Sequence, residues 1–203
     1  MHLHGWLVGV IMVVCIAQAG GSRAVAEPEN PTQRVQLLLK NINSLKTAGN
    51  GNGSAAQQAG NTAAAQAANA VLDVRGLSQW TLGKHWDTLT PAGQQEFVTL
   101  LEQLLAKIAF PKSAEFFGDL AMTVKSERIT GPRAVVKTTV RHPKEGLVGI
   151  DYQLTQQDST WLVRDILLDD VSLGGNLRSQ FLKIITENSY AELLRRMREK
   201  LAE

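Results

Sequence analysis

Three aspartates near residue 165 are the residues of this chain best suited to acid–base chemistry. Asp165 lies inside the strand-like segment TWLVRDILL, and Asp169 and Asp170 follow that segment directly. Two carboxyl groups can divide the general acid and base roles when their surroundings push their pKa values apart. Adjacent side chains of a strand point to opposite faces, however, so this spacing does not make the carboxylates converge. Aspartate also ends strands by bonding to nearby backbone groups, and we therefore expect structural rather than catalytic roles.

Histidine and cysteine, the other residue types that support catalysis or metal binding, are scarce in this chain. Of its four histidines, His2 and His4 lie in the N-terminal segment, as does the single cysteine, Cys15. His85 and His142 are far apart in the sequence, and a zinc site needs several such ligands together. The sequence contains no phosphate-binding loop, no nucleophile elbow and no His-Glu-x-x-His motif. We expect no catalytic residue, no metal and no cofactor.

The first 26 residues predict an export signal rather than part of the folded domain. The stretch from Gly5 to Ala17 is apolar and uncharged, and it is short for a membrane-spanning helix. Two Ala-x-Ala sequences follow it, ending at Ala19 and Ala26, and such sites are typical of signal-peptide cleavage. We expect cleavage after Ala26, with Ala19 as the other site and a retained N-terminal anchor as the alternative. The folded domain is then residues 27–203.

Cap residues and apolar spacing predict helices in the first half of the folded domain. Asn30 starts a helix, because a proline follows it and a glutamine lies three residues beyond it. The Gly- and Ala-rich stretch from Ala48 to Asn61 predicts a flexible connection, after which helical sequence resumes. Thr90, also followed by a proline, starts a helix with a clear apolar stripe. We expect that helix to end near Phe110, because the residue before Pro111 disfavours helical geometry.

Two more helices are predicted to close the chain, from Asn176 to Glu187 and from Ser189 to about Leu201. Ser189 and Glu192 have the spacing of a capping box. The basic run from Arg195 to Lys200 is interspersed with acidic residues, which predicts a solvated helix face, with docking to a membrane or partner as the alternative. The whole chain has 21 basic and 19 acidic residues. This near balance disfavours nucleic-acid binding, which requires a clustered basic surface.

Between the two groups of helices, apolar residues recur at every second position. The first such segment places Leu120, Met122 and Val124 on one face, and RAVVKTTVR, LVGIDYQLTQ and TWLVRDILL follow. Short turn-like breaks separate these segments, which predicts a four-stranded antiparallel sheet with one apolar face. Helices from both ends of the chain that cover this face make the fold α+β. The face has few aromatic residues, so a cavity between sheet and helices is an open possibility.

Two segments resemble the MlaC family, also called the toluene-tolerance family. They are LGKHWDTLTPAGQQEFVTLLEQLL, from Leu82 to Leu105, and WLVRDILLDDVSLGGNLRSQFLKII, from Trp161 to Ile185. The resemblance implies an NTF2-like sheet with a helical part, and a lipid cavity between them. It implies a periplasmic carrier of phospholipid, not an enzyme. Asp170 stands where the family usually has glycine, and aspartate tolerates left-handed backbone geometry better than most residues.

The resemblance also implies which residues and partners the carrier uses. The partners would be a phospholipid ligand, an inner-membrane ABC transporter complex with an MCE-domain protein, and an outer-membrane lipoprotein complex. We expect a monomer. Two alternatives remain: a carrier of another lipid such as a hopanoid, and an NTF2-like isomerase that uses Asp165 as base and Tyr152 as donor. The expected contacts of the lipid tails are Phe97, Leu101, Leu104, Val136, Val140, Ile150, Tyr152 and Val163, with Val171, Ser172 and Leu173 as the rim of the cavity.

Overall fold

Seven α-helices and five strands are formed by the residues that the computed structural model describes, which are 30–45, 54–118 and 120–203. The predicted export signal lies outside these residues. The helices are α1 (Pro31–Ser44), α2 (Ala55–Asn69), α3 (Val74–Leu82), α4 (Pro91–Leu104), α5 (Phe110–Phe117), α6 (Leu173–Glu187) and α7 (Tyr190–Ala202). The strands are β1 (Met122–Thr130), β2 (Arg133–His142), β3 (Gly146–Gln157), β4 (Thr160–Leu168) and β5 (Val171–Ser172).

The strands form one antiparallel sheet in the order β1-β2-β3-β4-β5. The predicted α+β class is confirmed, but the sheet has a fifth strand that the sequence prediction lacked. A tight turn at Asp169 and Asp170 produces it, because both residues have left-handed backbone angles, with φ of 44° and 66°. Asp170 therefore adopts the left-handed backbone geometry that aspartate was expected to tolerate at this position. A strand of two residues has no alternation to detect, which is why the sequence pattern missed it.

The alternating pattern is obeyed in the middle of the sheet and lost at its edge. On β2 and β3, every second side chain is buried, and these side chains share one face, here called the inner face. On the edge strand β1, by contrast, Val124 is 37% exposed although its pattern predicted a buried position. The pairing of β1 with β2 is also interrupted between Val124 and Ser126. Edge strands bury less surface and often carry such bulges, so their alternation is a weaker guide to burial.

The helices divide between two cores. Helix α1 packs on the inner face of the sheet, and α2 and α5 pack against α1 and add buried side chains to the same sheet core. Helices α3, α4, α6 and α7 pack on one another around a second centre, here called the helical core. Leu72 and Leu105 touch both cores and so lie at the boundary between them.

The predicted flexible connection from Ala48 to Asn61 is wrong over its second half. Ser54 caps α2, which begins at Ala55, and Gln57 completes a capping box. Alanine has the highest helix propensity, so the Ala-rich sequence continues the helix despite its glycine. Residues 46–53 lie outside the described part of the chain.

The expected helix end at Phe110 is also wrong. After α4 the chain makes a π-helical turn from Leu105 to Ala109 and then continues as α5. The backbone N–H of Phe110 donates to the carbonyl oxygen of Leu105, five residues earlier. This wider turn restarts the helical register, so Pro111 falls in the first turn of a new helix, where proline is tolerated.

The predicted N-caps are confirmed at two helices and half confirmed at a third. Asn30 and Thr90 cap α1 and α4, and the capping box of Asn30 is complete. At α7, the backbone N–H of Glu192 donates to Ser189 Oγ at 3.1 Å. The carboxylate of Glu192 bonds to Arg195 and Arg196 instead of reaching back to the cap. Arginine partners within the same helix thus replace the second half of the box.

Candidate functional site

Five of the residues expected to contact lipid tails form one continuous apolar surface on the inner face of the sheet. We call this surface the wall. Its members are neighbours across β2, β3 and β4, since Val136 pairs with Tyr152, and the partners of Ile150 and Val163 lie on the adjacent strands. The wall is Val136, Val140, Ile150, Tyr152 and Val163, and each of these residues is 0 to 4% exposed.

Side chains that the sequence reasoning did not assign to the site cover the wall. They come from α1, which the sequence predicted as a helix without indicating its partner, and from α5, which the sequence analysis did not predict. Close packing between these helices and the sheet leaves the wall almost inaccessible, so the expected cavity is a dense apolar layer in this structure. Lipid tails could enter only if the helices move away from the sheet. The helical side chains buried in one cluster with the wall include Val35, Leu38 and Ile42 of α1, with Phe110 and Ala114 of α5.

Two recesses on the opposite, outer face of the sheet do not involve the wall. They lie between the sheet and α3, with volumes of about 320 and 670 Å³, and share Trp80, Thr155 and Arg164 in their lining. Arg164 reaches them because it is the extra residue where the pairing of β3 and β4 shifts. Neither recess is lined by a residue of the wall.

The other three expected tail contacts lie in the helical core. Phe97 and Leu101 of α4 are buried there, and Leu104 packs partly against the same cluster. The ring of Phe97 meets the ring of Phe181 edge-on, with 5.8 Å between ring centroids. The structure therefore separates these three residues from the wall. Their helical spacing predicted burial correctly but did not indicate which core would bury them.

The expected rim residues mark one margin of the wall. Val171 pairs with Leu168, which packs against the sheet core, so Val171 extends the inner face by one strand. Val171 is 54% exposed and Leu173 is 39% exposed, whereas Ser172 is half-buried. The rim thus presents two apolar side chains to solvent beside a closed apolar layer.

Ser172 begins α6, with help from Asp165. Ser172 Oγ accepts the backbone N–H of Gly175 at 2.7 Å and donates to Asp165 Oδ2 at 2.5 Å. Asp165 Oδ1 also accepts the backbone N–H groups of Ile166 and Gly174, at 2.9 and 3.0 Å. The helix therefore starts at Leu173 rather than at Asn176 as predicted.

The glycine at position 174 is required by close approach. A Cβ atom there would lie 3.0 Å from Asp165 Oδ1 and 3.1 Å from the ring of Trp80. Gly174 and Gly175 consequently lie in the first turn of α6.

Asp169 has a structural role as well. Its Oδ1 accepts the backbone N–H of Gly149 at 2.8 Å, and its own N–H donates to the carbonyl oxygen of Gly149 at 3.0 Å. The side chain therefore ties the β4–β5 turn to β3, as expected for an aspartate at a strand end.

The geometry disfavours the isomerase alternative. Tyr152 faces the sheet core, and burial raises the pKa of its hydroxyl, which keeps it neutral. Asp165 pairs with Gln153, whose side chain faces outward, so its carboxylate lies on the opposite face from Tyr152. The two groups cannot act on one substrate from opposite sides of a sheet.

His85 and His142, the histidines within the described residues, lie in separate elements. His85 lies in the 3-10 helix Gly83–Thr88, and His142 ends β2 with its ring stacked on Phe116. Within the described ranges, no cluster of three histidine, cysteine, aspartate or glutamate residues could hold a metal ion. None of the helices in those ranges has the length and apolar character needed to cross a membrane.

The basic side chains of α7 form ion pairs with acidic side chains of the same chain. Glu192 lies 2.7 Å from Arg195 and from Arg196, and it holds both through hydrogen bonds. These bonds lower the pKa of the Glu192 carboxyl to about 2. Arg198 pairs with Glu96 of α4. The run is a solvated, internally paired helix face, which was the first of the two readings of its sequence.

Comparison with known proteins agrees with the resemblance seen in the sequence. The chain matches the family model described as MlaC protein over residues 35–199. It is also similar in structure to a phospholipid-binding protein from Ralstonia solanacearum, solved in complex with a phospholipid, with a TM-score of 0.68 and 20% sequence identity. That similarity covers 84% of this chain and 94% of the Ralstonia chain. A search among proteins of curated function finds no significant match. Because the family match extends over far more than half of its length, the chain belongs to the MlaC protein family.

Proposed function

We propose that this protein is a periplasmic lipid-transfer protein, which holds the acyl tails of a phospholipid between the wall and the helices that cover it. The observation that carries the proposal is the wall itself, an apolar surface that spans three strands and is covered by two separate helices. Membership of the MlaC family and the phospholipid bound by the Ralstonia protein support the same conclusion.

The polarity of the inner face suits a hydrocarbon ligand. Thr138 lies among the wall residues, and its hydroxyl donates to the carbonyl oxygen of Ile150 at 2.7 Å. This bond satisfies the hydroxyl within the sheet, so it places no demand on a ligand. An acyl chain against this face would therefore meet no unsatisfied hydroxyl at Thr138.

The free energy of burying an acyl chain implies that the protein needs a partner where it takes up lipid and another where it releases lipid. Burial of one CH₂ group contributes about 0.8 kcal/mol, so a long acyl chain contributes roughly 10 kcal/mol. A tail held this firmly does not escape into water at a useful rate. Transfer therefore takes place at a membrane or at a docked partner. We propose an inner-membrane MCE-type transporter complex and an outer-membrane lipoprotein complex as these partners.

The test is to identify the lipid that the protein carries in its own host. The protein is purified without detergent from the periplasm, and its extracted lipids are measured by mass spectrometry and by phosphate content. We expect phospholipid in a fixed ratio to protein. A polycyclic lipid in its place would favour the hopanoid-type carrier, and protein free of lipid that also takes none from vesicles would refute the carrier function.

A further inference from the structure

We propose that α5 is a lid over the acyl-chain layer, hinged at the π-helical turn Leu105–Ala109 and held shut at its far end by the stacking of Phe116 on His142. We call this stacked pair the latch. The inference rests on the carrier function proposed above and adds to it the element that moves to admit the lipid.

The hinge lies where one core ends and the other begins. Before the turn, α4 buries Phe97 and Leu101 in the helical core, and after it α5 buries Phe110 and Ala114 in the sheet core. None of the five residues of the turn is itself buried. π-helical turns are rare and are frequent at functional sites. The turn can therefore change the direction of α5 relative to α4 while Phe97 and Leu101 stay in the helical core, because Leu105 is the one residue of the turn that packs, partly, against that core.

The lid is held to the sheet core by few side chains. Within α5, Phe110 and Ala114 are buried and Phe117 packs partly against the sheet core, whereas Lys112, Glu115 and Phe116 are exposed. A segment with few buried apolar contacts opens at a lower free energy than the body of the fold. The other covering helix, α1, buries Pro31, Val35, Leu38 and Ile42. Of the two covering helices, α5 is therefore the one that opens more easily.

The latch joins the last turn of α5 to the β2–β3 hairpin. The rings of Phe116 and His142 are nearly parallel, with 4.1 Å between centroids and 6° between planes. The backbone N–H groups of Lys144 and Glu145 donate to Nδ1 of His142, at 3.3 and 3.2 Å, and so fix the orientation of this ring. Phe116 is already 41% exposed, so separation of the rings transfers little more apolar surface to water. The stack positions the helix but can be broken at small cost.

Opening of the lid uncovers the wall at one end of the sheet. His142 is the last residue of β2, and the register places Val140 of the wall opposite Val148 near the start of β3. Leu168 at the end of β4 and the exposed Val171 of β5 lie at this same end. An acyl chain that enters beside the latch meets an apolar rim first and then the wall.

The first test measures how fast the protein exchanges lipid. Full-length protein, exported and purified, is loaded with an acyl-labelled fluorescent phospholipid and mixed with vesicles of phosphatidylethanolamine and phosphatidylglycerol. We expect Phe116→Ala and His142→Ala each to accelerate transfer several-fold while the thermal midpoint stays close to wild type. Ile129→Ala is the matched control. Ile129 is 52% exposed on β1, so this substitution also removes an exposed apolar side chain, but at a position away from the lid. If the latch variants transfer lipid at the same rate as the control variant, the proposal that α5 is a lid is wrong.

The second test locks the lid. Phe116→Cys and His142→Cys are combined in a Cys15→Ser background and joined by a short bifunctional thiol reagent. We expect the joined protein to transfer lipid at least tenfold more slowly than the same protein before joining. Lys137→Cys with Asp151→Cys is the control, because these residues face each other on β2 and β3 without touching the lid. Equal slowing in both joined proteins would contradict the proposal.

Hydrogen exchange separates the failure of the lid from the failure of the carrier function, because it requires no lipid. In Phe116→Ala we expect the backbone amides of α5 to exchange faster as a group, while those of α1 exchange as in the wild type. If wild-type protein takes up no phospholipid, the carrier function fails. If it takes up phospholipid but the exchange of α5 amides is unchanged in the variant, the lid alone fails.

Discussion

Replacement of Asp165 by alanine should destabilise the protein without abolishing lipid uptake. The carboxylate accepts hydrogen bonds from the Ser172 hydroxyl and from the backbone N–H groups of Ile166 and Gly174. It thereby supports the cap of α6 from a strand seven residues earlier in the chain. The substitution removes all three acceptor contacts at once and leaves Ser172 to cap the helix unaided.

The size of the effect follows from these contacts. A hydrogen bond to a charged group contributes about 1.5–3 kcal/mol, and loss of an N-cap costs about 1 kcal/mol. Because Asp165 is only half-buried, water replaces part of what is lost. We therefore expect Asp165→Ala to lower the free energy of unfolding by about 2–4 kcal/mol. For a chain of this size, that corresponds to a fall in Tm of roughly 5–15 °C.

The assay is thermal unfolding followed by circular dichroism, with lipid uptake measured on the same samples. Asp165→Asn keeps an oxygen for the two backbone N–H groups and should lose about half as much stability. Asp87→Ala, which removes an exposed carboxylate from the 3-10 helix, should change stability by less than about 0.5 kcal/mol. The reasoning is refuted if Asp165→Ala is as stable as Asp87→Ala. If Asp165→Ala is stable but loses an isomerase activity that the wild type shows, the isomerase alternative is supported instead.

Three further predictions concern the wall, the closing helix and export. Val136→Trp should reduce the phospholipid bound per protein, because the larger side chain fills the space of the tails, and overpacking should lower the stability of the protein by about 1–3 kcal/mol. Lys137→Trp, on the outer face, should bind as much phospholipid as the wild type. Equal binding by the two variants, measured as phosphate per protein, would contradict the assignment of the wall as the lipid site. Glu192→Gln should lower Tm above about pH 5, because the folded pKa of about 2 lies below the ordinary value of 4.5. The wild-type advantage should shrink as pH falls from 4.5 towards 2, and an advantage that persists at pH 2 in thermal melts would contradict the ion pairs. N-terminal sequencing of protein from the native host should begin near Gly20 or Glu27, and an intact Met1 in the cytoplasm would exclude export.

The sequence by itself determined the features that depend on neighbours a few residues apart. Asn30 and Thr90 cap their helices because a cap bonds to backbone groups within three residues, and that spacing is visible in the chain. The alternation of β2 and β3 predicted their buried face, because side chains of a strand alternate whatever lies opposite them. The two quoted segments also carried enough of the family pattern to identify the MlaC family, which the family match confirms.

Only the tertiary structure decided which partner each buried side chain meets. Phe97 was expected beside Val136 and the other tail contacts, yet it is buried in the helical core, whereas Val136 is buried in the sheet core. Apolar periodicity shows that a face avoids water but carries no record of the surface that covers it. The site could therefore be predicted as a set of apolar residues, but its division between two cores could not.

The same reason explains the local errors. Ser172 rather than Asn176 begins α6, because Asp165 on the neighbouring strand reaches the first turn and Trp80 leaves no room for a side chain at Gly174. Pro111 continues a helix because a π-helical turn precedes it, at the junction of the two cores. In each case several local conformations are acceptable, and contacts between residues distant in sequence select one of them.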